Sequence, residues 1–225
     1  MNTANKMNLL AEGIDVLRQA DEDIEKLIAP RSEEIISLLA RYIKEIELFN
    51  SAYGLVGTNN PDEIVVKHIL DSLAPAGIIF RLFNGDSCHI ADAGSGAGLP
   101  GIPLAITMPK CEFTLIERMG RRAGFLWNTK AALGLSNITV EEGEVEKTKN
   151  GSFSIITSRA FKPLEPKLLK ALFNACTAGG IIAAYKGRLE KIKQEMSPLK
   201  NCIWETIPYS VPFLEEERHL LIIRT

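Results

Sequence analysis

The apolar positions of the chain follow two periods, one over roughly the first 75 residues and another beyond residue 88. In "SEEIISLLARYIKEIELFN", Ile35, Leu39, Ile43, Ile46 and Phe49 recur every three or four positions, the spacing of a helix with one buried face. Glu33 and Glu34 open that stretch and suit the positive end of a helix. "NNPDEIVVKHILDSLA" predicts a further helix: Asn60 as N-cap, Pro61 at the first helical position, and Glu63 completing a capping box. Beyond residue 88 short apolar runs alternate with helical patterns. Strands are predicted at Cys88–Ala93, Glu112–Glu117, Asn137–Glu142, Phe153–Ser158, Gly180–Lys186, Ile203–Val211 and Arg218–Arg224. Helices are predicted at Pro103–Met108, Arg118–Leu133, Pro163–Cys176 and Leu189–Met196. Strands separated by helical crossovers imply a parallel, doubly wound α/β sheet. The link "PFLEEE" is too short for a crossover helix, so the last two strands should form an antiparallel hairpin.

A mostly parallel, seven-stranded sheet closed by such a hairpin resembles the Rossmann-like fold of class I methyltransferases, which use S-adenosylmethionine (SAM). Here it would occupy residues 76–225, with a helical N-terminal region, residues 1–75, packed on it. At 225 residues and 46% hydrophobic composition the chain can bury one full core. No apolar run nears the ~20 residues of a membrane span. The start "MNTANKMNLLAEGIDVLRQADED" lacks the cationic beginning and apolar stretch of a signal peptide, so a cytoplasmic protein is expected. Cys88, Cys111, Cys176 and Cys202 form no CxxC pair, and His68, His89 and His219 form no HxxxH pattern. Neither a metal site nor a disulfide framework is expected.

Net charge is −2, which alone argues against a polyanionic partner. The distribution changes that view. Residues 1–75 carry 7 Lys/Arg against 13 Asp/Glu, whereas residues 76–225 carry 19 against 15, and residues 159–200 carry 9 against 3. A nucleic acid fits that second half, although basic runs are also common on solvated helix faces.

The stretch "DAGSGAGLPGIP", residues 92–103, places glycines between a strand and a helix, where backbone N–H groups can approach a ligand. Two frames fit it. Gly96, Gly98 and Gly101 match the dinucleotide fingerprint G-x-G-x-x-G, but with Pro100 inside and Gly94 and Ser95 to spare. Asp92, Gly94, Gly96 and Gly98 instead match the SAM loop of class I methyltransferases, which the predicted strand order favours. Glu117 ends the second strand 23 residues after Gly94. A carboxylate there can accept from both ribose hydroxyls, which fits SAM and a dinucleotide alike.

Longer matches are more specific. "AYGLVGTNNPDEIVVKHILDSLA", "DAGSGAGLPGIPLAI", "RRAGFL", "TSRAF", "YKG" and "ERHLLIIR" together resemble the bacterial ribosomal RNA small subunit methyltransferase G family, in order over residues ~50–225. The resemblance implies SAM as cofactor and methylation of guanine N7 in a 16S rRNA loop near the decoding site, with free rRNA or the small subunit particle as partner. A monomer is expected. Gly54 and Val56 stand where the family usually shows Asn and Thr, and Glu117 where Asp is common. By the same resemblance Leu99 lies in the SAM loop, and Val145 and Glu146, after the third strand, lie beside the adenine.

Guanine N7 carries a lone pair and no proton, so its methylation needs alignment and desolvation more than a general base. The sequence is in keeping with this: "SRAF" stands where amino-methyltransferases carry [DN]PP[YF], and no Pro-Cys pair offers a cytosine-C5 nucleophile. Arg159, at the end of the fourth strand, is the residue expected to position the acceptor, its guanidinium facing SAM carboxylate, phosphate or a base edge. Phe161 suits either stacking on an extruded base or packing as a core aromatic. Lys186, Arg121 and Arg122 are expected to contact substrate, with Lys162, Arg188, Lys191 and Lys193 as further phosphate candidates. His68 and Asp71, in "KHILDS", suit either the cleft or helix packing.

Overall fold

The computed structural model describes residues 3–160, 162–199 and 202–224. Its N-terminal part is helical: α1 (Thr3–Ala20), α2 (Glu22–Ile28), α3 (Ser32–Tyr53), then α4 (Pro61–Ile64) and α5 (Asp71–Leu73) joined by a π-helical segment, Val65–Leu70, and finally α6 (Ala76–Leu82). The periodic residues of α3 face inward, with Ile35, Leu39, Ile43 and Ile46 buried and Phe49 packed against them. Asp21 caps α2 by accepting from the N–H groups of Asp23 and Ile24.

The predicted capping box does not close. Asn60 accepts from the N–H of Asp62 at 3.0 Å, but Glu63 turns away, taking the Thr58 hydroxyl and the Lys67 ammonium. Charge and a nearer hydroxyl outcompete the Asn60 N–H, which donates to Thr58 Oγ1 instead.

The second part alternates: β1 (His89–Ala93), α7 (Gly101–Thr107), β2 (Glu112–Glu117), α8 (Gly120–Leu133), β3 (Ile138–Glu142), β4 (Phe153–Arg159), α9 (Pro166–Ala175), β5 (Cys176–Lys186), α10 (Leu189–Met196), β6 (Ile203–Val211) and β7 (Leu214–Arg224). The seven strands lie in the order β3-β2-β1-β4-β5-β7-β6, with β7 antiparallel to both neighbours and every other pairing parallel. The hairpin is tighter than predicted. Val211 pairs with Leu214 across Pro212 and Phe213 alone, so "LEEE" already belongs to β7.

Strand side chains alternate between two buried layers. Ile90, Leu115, Ile155, Ala183 and Ile222 face a large cluster with α7, α8 and the N-terminal helices. Ala91, Ile116, Ile156, Ala184 and Ile223 face a smaller one with α9 and α10. The N-terminal helices therefore share the core of the sheet. At the amino ends of β1 and β2, the reduced thiols of Cys88 and Cys111 lie 3.3 Å apart.

Candidate active site

The loop after β1 is shaped by glycines and held by buried polar groups. Gly94, Gly96 and Gly98 adopt φ of 70°, 59° and 91°, a region that L side chains disfavour. Asp92 is fully buried behind the loop. Its Oδ2 accepts from Ser95 Oγ at 2.7 Å and from the Gly101 N–H at 3.0 Å. Burial pushes its carboxyl up to about 6, against the opposing pull of these hydrogen bonds and the Arg159 charge. Gly101 lies close against β2: a Cβ there would sit 2.3 Å from Leu115 Cδ2 and 2.8 Å from Asp92 Oδ2. Thus Gly101, which only the dinucleotide frame singled out, is needed for helix-on-strand packing. Gly98 likewise faces inward, onto Ile102 and Leu126, whereas a Cβ at Gly96 would meet nothing but the Gly94 carbonyl oxygen, 3.8 Å away.

Glu117, buried at the end of β2, ties this loop to the next helix. One carboxylate oxygen accepts from the Gly96 N–H at 2.9 Å, the other from the Met119 N–H at 2.8 Å. A carboxylate offers about four lone-pair positions, so two remain for hydroxyl donors. Glu117, Gly94, Met119, Gly143, Val145 and Glu146 line a pocket of about 200 Å³.

That pocket adjoins a cleft of about 580 Å³, the two sharing Gly94, Arg122, Ala160 and Lys162. Ala160 stands at this junction with φ of 51°, a non-glycine held in the left-handed region beside the ligand space. The Nε of Arg122 is buried there with no partner among the described residues, while its Nη2 donates to the Gly54 carbonyl at 2.8 Å. Gly96 and Leu99 line the cleft from the loop side, Lys186 from β5, and Leu55, Val56 and Gly57 from the segment after α3. Asn50 shapes that segment: its amide donates to the Thr58 carbonyl and Asn59 Oδ1 and accepts from the Val56 N–H. Gly54 caps α3 at φ of 57°. Asparagine is the side chain that best tolerates this conformation, so the exchange of Asn for Gly preserves the turn.

Arg159 lines the cleft, but the expectation of a fork free to hold ligand needs correction. Its Nη1 donates to Asp71 Oδ2 at 3.1 Å and to the carbonyls of Lys67 and His68 at 3.3 Å each; its Nη2 lies 3.4 Å from His68 Nδ1. The buried Asp71 carboxylate and two carbonyls of the π-helical segment draw the guanidinium onto the helical wall. Asp71 also accepts from Arg218 Nε at 3.2 Å and lies 3.4 Å from the Tyr209 hydroxyl. His68 and Asp71 thus both face the cleft.

The remaining candidates divide. Lys186 borders the cleft in an ion pair with Glu195, and Lys162 lies 3.4 Å from Glu146. Arg188 and Lys191 line a groove with Glu215, Glu216 and Glu217 that meets the cleft at Lys186, Gly187 and Arg218, and Lys193 is exposed. Arg121 points to solvent and lines neither pocket. Phe161 lies outside the described residues. Sequence reasoning missed Tyr42, whose buried hydroxyl donates to the Ala97 carbonyl of the glycine loop, and Arg218, for which the quoted "ERHLLIIR" was the one available signal. Among the described residues no helix is long and apolar enough to cross a membrane, and no three His, Cys, Asp or Glu gather as a metal site.

Comparison with solved structures finds the same fold. A SAM-dependent methyltransferase from Aquifex aeolicus matches 74% of this chain and 94% of its own at a TM-score of 0.56 and 15% identity. A putative S-adenosylmethionine-dependent methyltransferase from Methanococcus maripaludis covers 80% and 90% at a TM-score of 0.56 and 14% identity. In sequence, proteins named ribosomal RNA small subunit methyltransferase G are much closer. That of Treponema pallidum (strain Nichols) is 37% identical, covering 100% of this chain and 97% of its own length. That of Cellvibrio japonicus is 38% identical over 88% and 89%. The family model described as rRNA small subunit methyltransferase G matches residues 35–221. With the glycine loop, the Glu117 pocket and the sheet order described above, these matches place the chain in the rRNA small subunit methyltransferase G family.

Proposed function

We infer that this protein is a SAM-dependent methyltransferase that methylates N7 of a guanine in 16S rRNA. One observation carries the reading: a small pocket built on a buried carboxylate opens into a larger, cation-rimmed cleft across Gly94 and Ala160. The first suits a nucleoside, the second an RNA base with its phosphates. Bound SAM supplies a methyl group on a positively charged sulfur. The residues present fit it, because Glu117 keeps acceptor capacity for two ribose hydroxyls.

In this reading Gly94, Gly96 and Leu99 present the loop to the cofactor, Asp92 and Gly98 hold the loop from behind, and Val145 and Glu146 flank the adenine. Lys186, Arg122 and Lys162 meet phosphate. Arg159 sets the acceptor wall by anchoring the helical turn that carries His68 and Asp71. Guanine N7 has no proton to lose, so the chain's task is to orient the base and exclude water. Asp71 is fixed in two ion pairs, in keeping with a structural rather than a proton-transferring part. We take residues 1–75 as a helical cap on a methyltransferase domain of residues 76–225, working as a cytoplasmic monomer on rRNA or the small subunit particle.

The test is methyl transfer from labelled SAM to small subunits and to free 16S rRNA from a strain lacking the gene. The modified base is then mapped by reduction, strand scission and primer extension. Label on a single guanine at N7 is expected. Label confined to small molecules, or to another ring nitrogen, would overturn the reading.

A further inference from the structure

Most polar groups lining the larger cleft are engaged within the protein. Lys67 pairs with Glu63, Lys186 with Glu195, and Asp71 with Arg159 and Arg218, while the Tyr185 hydroxyl donates to the Ser72 carbonyl. His68 is engaged on one edge only. Guanidinium nitrogens donate and never accept. The 3.4 Å approach of Arg159 Nη2 to His68 Nδ1 therefore makes Nδ1 the acceptor and leaves the single ring proton on Nε2. No described group bonds Nε2, and the residue faces the cleft. Burial, reinforced by the Arg159 charge, lowers the imidazole to about 4, so the ring is neutral at physiological pH. The cleft is thus furnished with one uncharged N–H donor whose tautomer is fixed from behind.

The requirements of N7 methylation match such a donor. On the edge that carries N7, guanine presents the O6 acceptor, whereas adenine presents the N6 amino donor. An arginine fork across O6 and N7, a common way of reading guanine, would occupy the lone pair that must attack the methyl group. A single donor at O6 leaves N7 free. A neutral donor also avoids repelling the positive charge that the base acquires on methylation.

We propose that Nε2–H of His68 selects guanine by donating to O6 beside the reacting N7, with Arg159 as the group that fixes the tautomer. This rests on the guanine-N7 reading above. Adenine would place its N6 donor against the same N–H and lose the bond. His68 is accordingly a specificity residue of the acceptor site.

The test combines a base change with a side-chain change. Small subunits are reconstituted with 16S rRNA carrying guanine or 2-aminopurine, which keeps N7 and lacks O6, at the mapped position. Wild-type protein should methylate the 2-aminopurine substrate about 10- to 100-fold more slowly in single turnover. His68→Ala should lose a similar factor on guanine and little more on 2-aminopurine, and His68→Asn, which retains an N–H donor, should recover part of the loss. SAM affinity should be unchanged in both variants, reporting an intact fold. Imidazole nitrogen shifts of the wild-type protein should show Nδ1 bare and Nε2 protonated. A guanine to 2-aminopurine ratio in His68→Ala equal to that of wild type, or a protonated Nδ1, would overturn the proposal. Wild-type protein that leaves guanine N7 unmethylated would instead overturn the reading beneath it, and the proposal with it.

Discussion

The hydroxyl of Tyr42 donates to the backbone carbonyl of Ala97 at 2.6 Å, both groups buried, so helix α3 holds the glycine loop in place from 55 residues away. In the proposed reading the N-terminal helices are therefore part of the cofactor site without lining its smaller pocket. Tyr42→Phe removes the donor and leaves a buried carbonyl unpaired, a loss of about 1–3 kcal/mol. Urea denaturation should show that loss, and calorimetry should show weaker SAM binding. Unchanged SAM affinity in a destabilised variant would confine Tyr42 to folding.

Two glycines of the loop, Gly101 packed inward and Gly96 on the open side, should fail differently. Gly101→Ala forces a methyl group against Leu115 and Asp92, and overpacking of this kind costs about 1–3 kcal/mol. Gly96→Ala has room but must hold φ near 59°, a strain of about 1 kcal/mol, and its methyl group projects where the cofactor passes. Gly101→Ala should lower the thermal midpoint more, and Gly96→Ala should lower SAM affinity more. The reverse order would mean that the loop's inner and outer sides have been exchanged.

Asp92 and His68 should give opposite pH dependences over nearly the same range. The folded-state Asp92 carboxyl is raised from 3.8 to about 6, so its stabilising contribution is complete below pH 3.8 and is lost as pH rises through 6. The folded-state His68 imidazole is lowered from 6.5 to about 4, so its contribution is complete above 6.5 and is lost as pH falls through 4. The two offset in the wild-type protein. Denaturation between pH 4 and 6.5 should show stability rising with pH in Asp92→Asn relative to wild type, and falling in His68→Ala. Parallel slopes in all three proteins would rule out both assignments.

Arg159→Ala should reduce stability as well as turnover, because it leaves the buried Asp71 with Arg218 as its remaining cation. Breaking a buried pair from one side costs about 3–5 kcal/mol. Lys191→Ala and Lys193→Ala, on exposed positions of α10, should leave stability unchanged and act through salt-dependent RNA attraction alone. Turnover of Arg159→Ala restored by excess RNA, with full stability, would make it a phosphate contact after all.

Features whose parts are close in the chain could be read from the sequence. Ile35, Leu39, Ile43 and Ile46 repeat on one helix face, and the glycine loop and Glu117 sit where strand and helix meet. The relationships that finish the site join distant residues of ordinary type: Tyr42 with Ala97, and Arg159 with Asp71. Nothing in a tyrosine at a buried helical position tells which carbonyl it will meet. Glu63 shows the converse, since the correct spacing for a capping box lost to a hydroxyl and an ammonium that folding brought closer.

All the strand-borne groups of the site lie on one rim of the sheet. Gly94, Glu117, Arg159 and Lys186 follow or end β1, β2, β4 and β5, all at carboxyl ends. The opposite rim carries exposed turns at Asn84–Ser87 before β1 and at Asn150–Gly151 before β4. A fluorophore or surface tether attached to that rim would leave the cleft open to solution, offering a route to watching single rRNA molecules arrive and depart.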